Sequence, residues 1–370
     1  MPRSVSVALI SVLFGLLAGA LFMLLSGNNP VRGYTFLFRG GLMNIERIGN
    51  TLATATPLIL TGLSVAFAFK TGLFNIGASG QVLMGGLCAT ALGLTVTAPK
   101  PLMLLLMLLV AVIGGAVWGF IPGLLKALFN VHEVVSTIMM NWLAFWIVNY
   151  TVPAYFKGDF LETESRRIPE AASLRLPGLS EMFNGSYVNL GLVLAILAVI
   201  GVWVLLEKTV LGYELKAAGY NRYAAEYGGM KVNSIIVMSM TIAGALSGLA
   251  GLALYAGYAV NIQIGILPTQ GFDGIAVAFL GGLSPLGSLL AALFFGLLHS
   301  GKGFMNAMTN IPPEIGDTII AILLYFSATS VLIERLLNSL KNRRENRNWA
   351  KNKKAAEGAE SRSDSKREDN

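Results

Sequence analysis

The amino-acid sequence predicts an all-α, polytopic membrane protein of about ten transmembrane or membrane-embedded helices, some short or broken. Three observations carry that prediction. Hydrophobic residues make up 54% of the chain. Charged residues supply only 13%, against about 25% in an ordinary globular domain. The apolar residues are gathered into successive stretches close to the ~20 residues that cross a bilayer as a helix.

The first stretch, 5–25, is longer than the ~7–15 apolar residues of a secretory signal. No small-x-small cleavage site closes it before Asn28, so it reads as a retained span. Further spans are expected at 52–69, 82–98, 102–123, 134–152, 188–206, 235–257 and 315–333. The region 272–299 is too long for one helix and is interrupted at Leu283-Ser-Pro-Leu-Gly287. It reads as two shorter helices meeting at a polar turn. Gly115/Gly119/Gly123 and Gly244/Gly248 recur every four residues, the spacing that lets helix backbones approach closely; Gly15/Gly19 repeat it near the N-terminus.

Loop charge gives an orientation, because short cytoplasmic loops collect Lys and Arg. With the N-terminus inside, Lys70, Lys126 and the loop bearing Lys208, Lys216, Arg222 and Lys231 fall in the cytoplasm. The basic C-terminal segment joins them only if the crossings are even in number, which supports dividing 272–299. Residues 27–50, with Arg32, Arg39 and Arg47, read as an extracytoplasmic loop against the charge rule. The transmembrane domain is expected over 1–334, with an extracytoplasmic loop at about 153–187 whose Asp159, Glu162, Glu164, Arg166, Arg167, Glu170 and Arg175 read equally as a surface that meets a partner or as a plain solvated loop. Beyond it, 335–370 is so poor in apolar residues that a disordered, charged cytoplasmic tail is expected.

Signatures of chemistry are sparse. Two histidines, His132 and His299, stand far apart and no metal-binding spacing accompanies them, so no metal site is expected. Gly296-Leu-Leu-His-Ser-Gly301-Lys302 matches GxxxxGK, but Gly303 stands where Ser or Thr should hold Mg²⁺. It also follows a membrane helix in place of a strand. The chain is therefore expected neither to be an enzyme nor to bind a cofactor itself. Cys88 is the single cysteine, so no disulfide forms within the chain.

Two stretches break apolar regions with polar residues and glycine: Phe69 to Gly86, and Gly271 to Gly282. Irregular backbone at membrane depth is tolerated where it is enclosed by protein or lines a wet cavity. Asn75, Ser79 and Gln81 are therefore candidates for a solute path, alongside a plain cytoplasmic turn. Asn141, Trp142 and Asn149 on one span add neutral hydrogen-bonding and aromatic groups, though an interfacial aromatic belt explains Trp146 and Tyr150 as well. Asp273 is the acidic residue nearest a span's interior, as a functional group or as a helix cap.

The segments Lys70-Thr-Gly-Leu-Phe-Asn-Ile-Gly-Ala-Ser-Gly-Gln81, Gly271-Phe-Asp-Gly-Ile-Ala-Val-Ala-Phe-Leu-Gly-Gly-Leu-Ser-Pro-Leu-Gly287 and Ala217-Ala-Gly-Tyr-Asn-Arg-Tyr-Ala-Ala-Glu-Tyr-Gly-Gly-Met230 together resemble the membrane-spanning permease subunits of ATP-binding-cassette (ABC) importers. The resemblance covers about 5–334 and is to the branch serving branched-chain amino acids, simple sugars and nucleosides. The first motif looks most like the nucleoside members. One departure stands out: family members usually carry Glu where this chain has Ser79. The resemblance implies an ATP-driven importer of the bacterial cytoplasmic membrane, with both termini inside. Its partners would be an ATPase subunit that uses the ATP, a second permease, homologous or identical, and an extracytoplasmic solute-binding protein or lipoprotein. The cargo would be a small molecule, with no nucleic acid involved. The loop at about 207–233 would hold the coupling helix, with Ala217, Ala218, Gly219, Ala224, Ala225 and Gly228 small enough for close docking and Glu214, Arg222 and Glu226 fixing its register. A simple sugar or branched-chain amino acid is the alternative cargo. An ion-coupled transporter or channel is the alternative class, disfavoured by the scarcity of membrane ionisable residues.

Overall fold

In the computed structural model, which describes residues 3–159, 161–309, 311–329 and 339, fourteen α-helices account for the architecture and no strand occurs among the described residues. In order they are α1 (Arg3–Leu25), α2 (Pro30–Leu42), α3 (Ile45–Lys70), α4 (Ala78–Thr95), α5 (Lys100–Phe129), α6 (Glu133–Tyr155), α7 (Pro177–Met182) and α8 (Gly191–Lys208). There follow α9 (Val210–Tyr220), α10 (Arg222–Tyr227), α11 (Val232–Leu252), α12 (Gln270–Leu280), α13 (Pro285–Thr309) and α14 (Pro313–Ala328). Seven of the described helices, α1, α3, α4, α5, α8, α11 with its continuation to Tyr258, and α13, are long and apolar enough to cross a bilayer by themselves. The chain is a multi-pass membrane protein. The tail expected over 335–370 lies, Ser339 apart, outside the described residues.

Helix ends follow local chemistry. Asn44 accepts a hydrogen bond from Arg47 N at 2.8 Å and starts α3. His132 Nδ1 accepts from Val134 N and starts α6, while Asn130 at φ 52° closes α5. Lys126 and Glu133 pair at 3.0 Å across that turn.

Packing sets the direction of each helix. Gly15 and Gly19 of α1 lie against Leu323 and Ile319 of α14, so these helices run antiparallel. Phe279 near the end of α12 meets Phe69 at the end of α3 and Phe74 just beyond it. Lys70 abuts Gly219 in α9. One end of the bundle thus collects the start of α1, the end of α3, α9, α10, the α12–α13 turn and the end of α14. The other end collects 153–187, where Tyr187 N donates to Asn50 and Ser165 bonds Ile262. These contacts set α1, α3, α4, α5, α6, α8, α11, α12, α13 and α14 in alternating directions, an even number of passes.

The core is α3, α4 and α11, with 83%, 67% and 67% of the membrane window of each buried. Glycines hold the seam together. A methyl on Gly115 would lie 2.6 Å from Gly248 Cα, and one on Gly119 would lie 2.9 Å from Gly244 Cα. Backbone touches backbone here, as the four-residue spacing led us to expect.

Two features differ from expectation. Residues 30–42 form α2, capped by Asn29 and packed through Gly33, Leu37, Gly40 and Gly41, where a loop was expected. Its arginines made it read as solvated, but its small and apolar residues share one face. The last turn of α11 is a π-helix over Ala253–Tyr258, which sequence periodicity cannot distinguish from α-helix.

Candidate functional site

Two regions carry the candidate residues. The first is the polar loop at one end of the bundle. Thr209 accepts from Gly212 N at 3.1 Å and opens α9; Asn221 accepts from Ala224 N at 3.1 Å and opens α10. Leu215, Ala218 and Ala225 are buried and anchor the pair. Gly219 packs against α3, where a methyl would sit 3.0 Å from the Lys70 carbonyl carbon. Arg222 donates to Asn233 at the start of α11, and Lys216 pairs with Glu207 at 2.7 Å.

The outward surface is made by other residues. Ala224, Glu226 and Gly228 are exposed, with Ala217 and Glu214 partly so. Around them stand Tyr213, Tyr220, Tyr223 and Tyr227, the last three at 92%, 79% and 99% exposure. Sequence reasoning valued the small residues of this loop and passed over its tyrosines. The available signal was four aromatics within fifteen residues of a polar loop, where burial cannot be their purpose.

The second region is the interrupted stretch between α3 and α4. Asn75, Ser79 and Gln81 are each at most 1% exposed. Asn75 Nδ2 donates to Gln81 Oε1 at 2.9 Å, Gln81 Nε2 returns a bond to Asn75 Oδ1 at 3.2 Å, and Asn75 Oδ1 also accepts from Gly77 N. Ser64 ties this pair to α11: it donates to Ala243 O at 2.6 Å and accepts from Ser247 at 2.8 Å. Asn141 joins from α6, accepting from Gly80 N at 2.8 Å and donating to Ile76 O at 3.0 Å. These amides satisfy the backbone of a broken segment and are themselves buried. Asn141→Leu leaves a donor and an acceptor unmatched, at about 1–3 kcal/mol each. The purified variant is expected to unfold at lower temperature than wild type; an unchanged midpoint would deny the network this role.

The remaining candidates are dispersed. Ser79 donates to Pro268 O at 2.9 Å and packs on Gly271, linking α4 to α12. Trp142 is 49% exposed on the outer face of α6. Asn149 donates to Phe145 O and accepts from Gly265 N at 2.9 Å. Asp273 does not cap α12. The cap position is Thr269, without a side-chain bond, while Asp273 is buried with Oδ2 3.3 Å from His299 Nε2 of α13. Neither of those two atoms has a hydrogen-bond partner among the described residues.

At the opposite end, Asp159, Glu162, Arg166, Arg167 and Glu170 are exposed. Lys157 donates to Glu162 and holds that carboxyl below its usual range. Arg175 has a structural role: its Nε donates to Gly257 O at 2.8 Å, its guanidinium lies 4.9 Å from the Tyr187 ring, and burial lowers its pKa. Glu164 accepts from Asn261 at 2.7 Å. No group of metal-ligating side chains occurs among the described residues.

Residues 47–328 match the family described as branched-chain amino acid transport system / permease component. The chain is 42% identical to the guanosine ABC transporter permease protein NupP of Bacillus subtilis, over 91% of this chain and 97% of that protein. It is 41% identical to the nucleoside ABC transporter permease protein NupB of Lactococcus lactis, over 92% and 94%. Identity to the glucose ABC transporter permease protein TsgB13 of Haloferax volcanii is 32%, over 88% and 87%. No solved structure matches the chain.

Proposed function

Because the chain belongs to the permease-component family of branched-chain amino acid transport systems, we propose that it is one of two pore-forming subunits of an ATP-driven nucleoside importer. The observation that carries the cargo is identity of 42% and 41%, over nearly the whole chain, to permeases named for guanosine and nucleoside transport. A sugar is the second reading, favoured by the 32% identity to a permease named for glucose.

In this reading the bundle end bearing α9 and α10 faces the cytoplasm of a bacterial cell, both chain termini lie on that side, and a separate ATPase seats on the exposed loop. A second permease, homologous or identical, completes the pore. A solute-binding protein delivers cargo to the charged surface over 153–187. ATP binding draws the two ATPases together, moves the docked loops and changes which side of the pore is open. Support for the docking role comes from an ordered, capped polar element whose inward face is anchored to α3 and α11 and whose outward face leaves large aromatics in solvent.

Uptake of labelled guanosine by cells expressing the whole system is the test. Unlabelled purine and pyrimidine nucleosides are expected to compete, with ribose and leucine competing at least about tenfold less well, the free-energy difference of ~1.4 kcal/mol that stacking of a base supplies. Competition by ribose or glucose alone moves the assignment to sugars. Accumulation driven by an ion gradient, with purified chain and no ATPase, removes the importer reading.

A further inference from the structure

Between the π turn of α11 and the N-terminus of α12 the chain runs irregularly from Ala259 to Thr269 and borders a half-open cavity of about 350 Å³. We propose that this cavity is a solute subsite on the translocation path, built for the flat base and hydroxylated sugar of a nucleoside; the inference rests on the importer reading above.

The lining chemistry is the first argument. Tyr255 and Tyr258 bring aromatic surface, and Asn261, Gln263, Thr269 and Gln270 bring neutral donors and acceptors. No Asp, Glu, Lys or Arg is among the lining residues. The ammonium of a zwitterionic amino acid would find no carboxylate among the lining residues, an unpaired charge that is costly away from water. A nucleoside carries no charge to match. Its base offers a π-face for an aromatic ring, and its edges suit amides. The volume lies within the range of small-molecule pockets, about 300–1,000 Å³.

Unused hydrogen-bonding capacity is the second. Tyr255 is 8% exposed, and its hydroxyl has no hydrogen-bond partner among the described residues. That hydroxyl opens on the cavity, where a ligand can take the place of water. The side chains of Thr269 and Gln270 are likewise unpartnered among the described residues, and α12 begins without a side-chain cap, leaving backbone N–H groups at its first turn. These groups share one cavity, and a ligand with hydroxyl and carbonyl oxygens meets all of them.

Position is the third. Asn261 is held by Glu164 of the outer segment, so the upper rim lies at the bundle end where cargo arrives. Pro268 is held by Ser79, so the floor reaches the break at the start of α4.

The test uses the complete transporter in proteoliposomes with saturating loaded binding protein. Tyr258→Ala and Gln270→Leu are expected to lower guanosine delivered per ATP hydrolysed by about tenfold. A folding defect lowers both rates together and leaves that ratio alone. Tyr255→Phe, which removes one oxygen, is expected to change the preference between guanosine and cytidine. Photolabelling of the intact complex with 8-azidoguanosine is expected in the peptide spanning 254–270, with protection by guanosine. If wild-type complex transports guanosine while all three variants keep its coupling ratio and preference, or the label falls elsewhere, the subsite is overturned and the importer reading stands. Wild-type complex that transports ribose or leucine but not guanosine overturns the nucleoside assignment of the protein and the subsite together.

Discussion

Replacing Tyr220, Tyr223 and Tyr227 together with aspartate is expected to strip the proposed ATPase from the permease while leaving the permease folded. None of the three rings packs into the bundle, at 92%, 79% and 99% exposure, so their loss removes nothing from the folded core. Aromatic anchors at the centre of protein interfaces each cost about 2 kcal/mol or more when truncated. Three at once, with carboxylates in their place, correspond to a loss of affinity of at least about 100-fold. Copurification of ATPase with tagged permease measures it directly. Stoichiometric recovery of ATPase with the triple variant would remove the tyrosine face from the docking surface. Gly219→Trp or Ala225→Trp is the weaker experiment, although the sequence pointed to those residues. Gly219 is pressed on Lys70 and Ala225 is buried, so a bulky residue at either position would dislodge the loop from its own bundle.

The largest effect on stability is expected from Gly248→Leu. A methyl at Gly248 already lies 2.9 Å from Gly115 Cα, and Gly85 of α4 presses on the same glycine, so a leucine there must part α4, α5 and α11. Overpacking of this kind costs roughly 3 kcal/mol where backbone is the obstacle. Gly201 on α8 provides the control, since nothing lies within 4 Å of a Cβ added there. The yield of monodisperse protein and its thermal midpoint should fall sharply for Gly248→Leu and hardly at all for Gly201→Leu. Equal stability of the two variants would contradict the seam.

Apolar length made the passes legible in the sequence, including the division of 272–299 at the turn where Leu283 adopts φ 55°. Glycine spacing made the tightest seam legible, because a missing Cβ has the same consequence in any helix. Helix α2 was hidden because Arg32 and Arg39 dominate its composition while Gly33, Leu37, Gly40 and Gly41 do its packing. The break at 71–77 was visible as polar residues within an apolar region, yet the partners of Asn75 and Asn141 were not. Those partners are Gln81, Ser64 and backbone groups; apart from Gln81 and Gly77 beside Asn75, they are brought in only by the fold. His299 and Asp273, 26 positions apart, were likewise paired only by the fold. The cavity beside Tyr255 depends on a π turn and an irregular segment, neither of which has a hydrophobic period to betray it.

The seat of Gly219 on Lys70 has a mechanical meaning. A joint made through long side chains has slack, since rotamers shift before anything else moves. Here the abutting atoms are main chain, and a second close joint lies earlier on α3, where Gly274 of α12 rests on Thr61 and the short, stiff Val277 side chain rests on Gly62. Close-packed interiors yield little under load. A push on α9 therefore meets stiff bearings at the end of α3 and again about two turns back along this largely buried rod, and the half-length helix at the second bearing is the element bounding the cavity. On the importer reading proposed above, lengthening any of these contacts by a methyl group would put play into the linkage, and stroke would be lost before it reached the cargo.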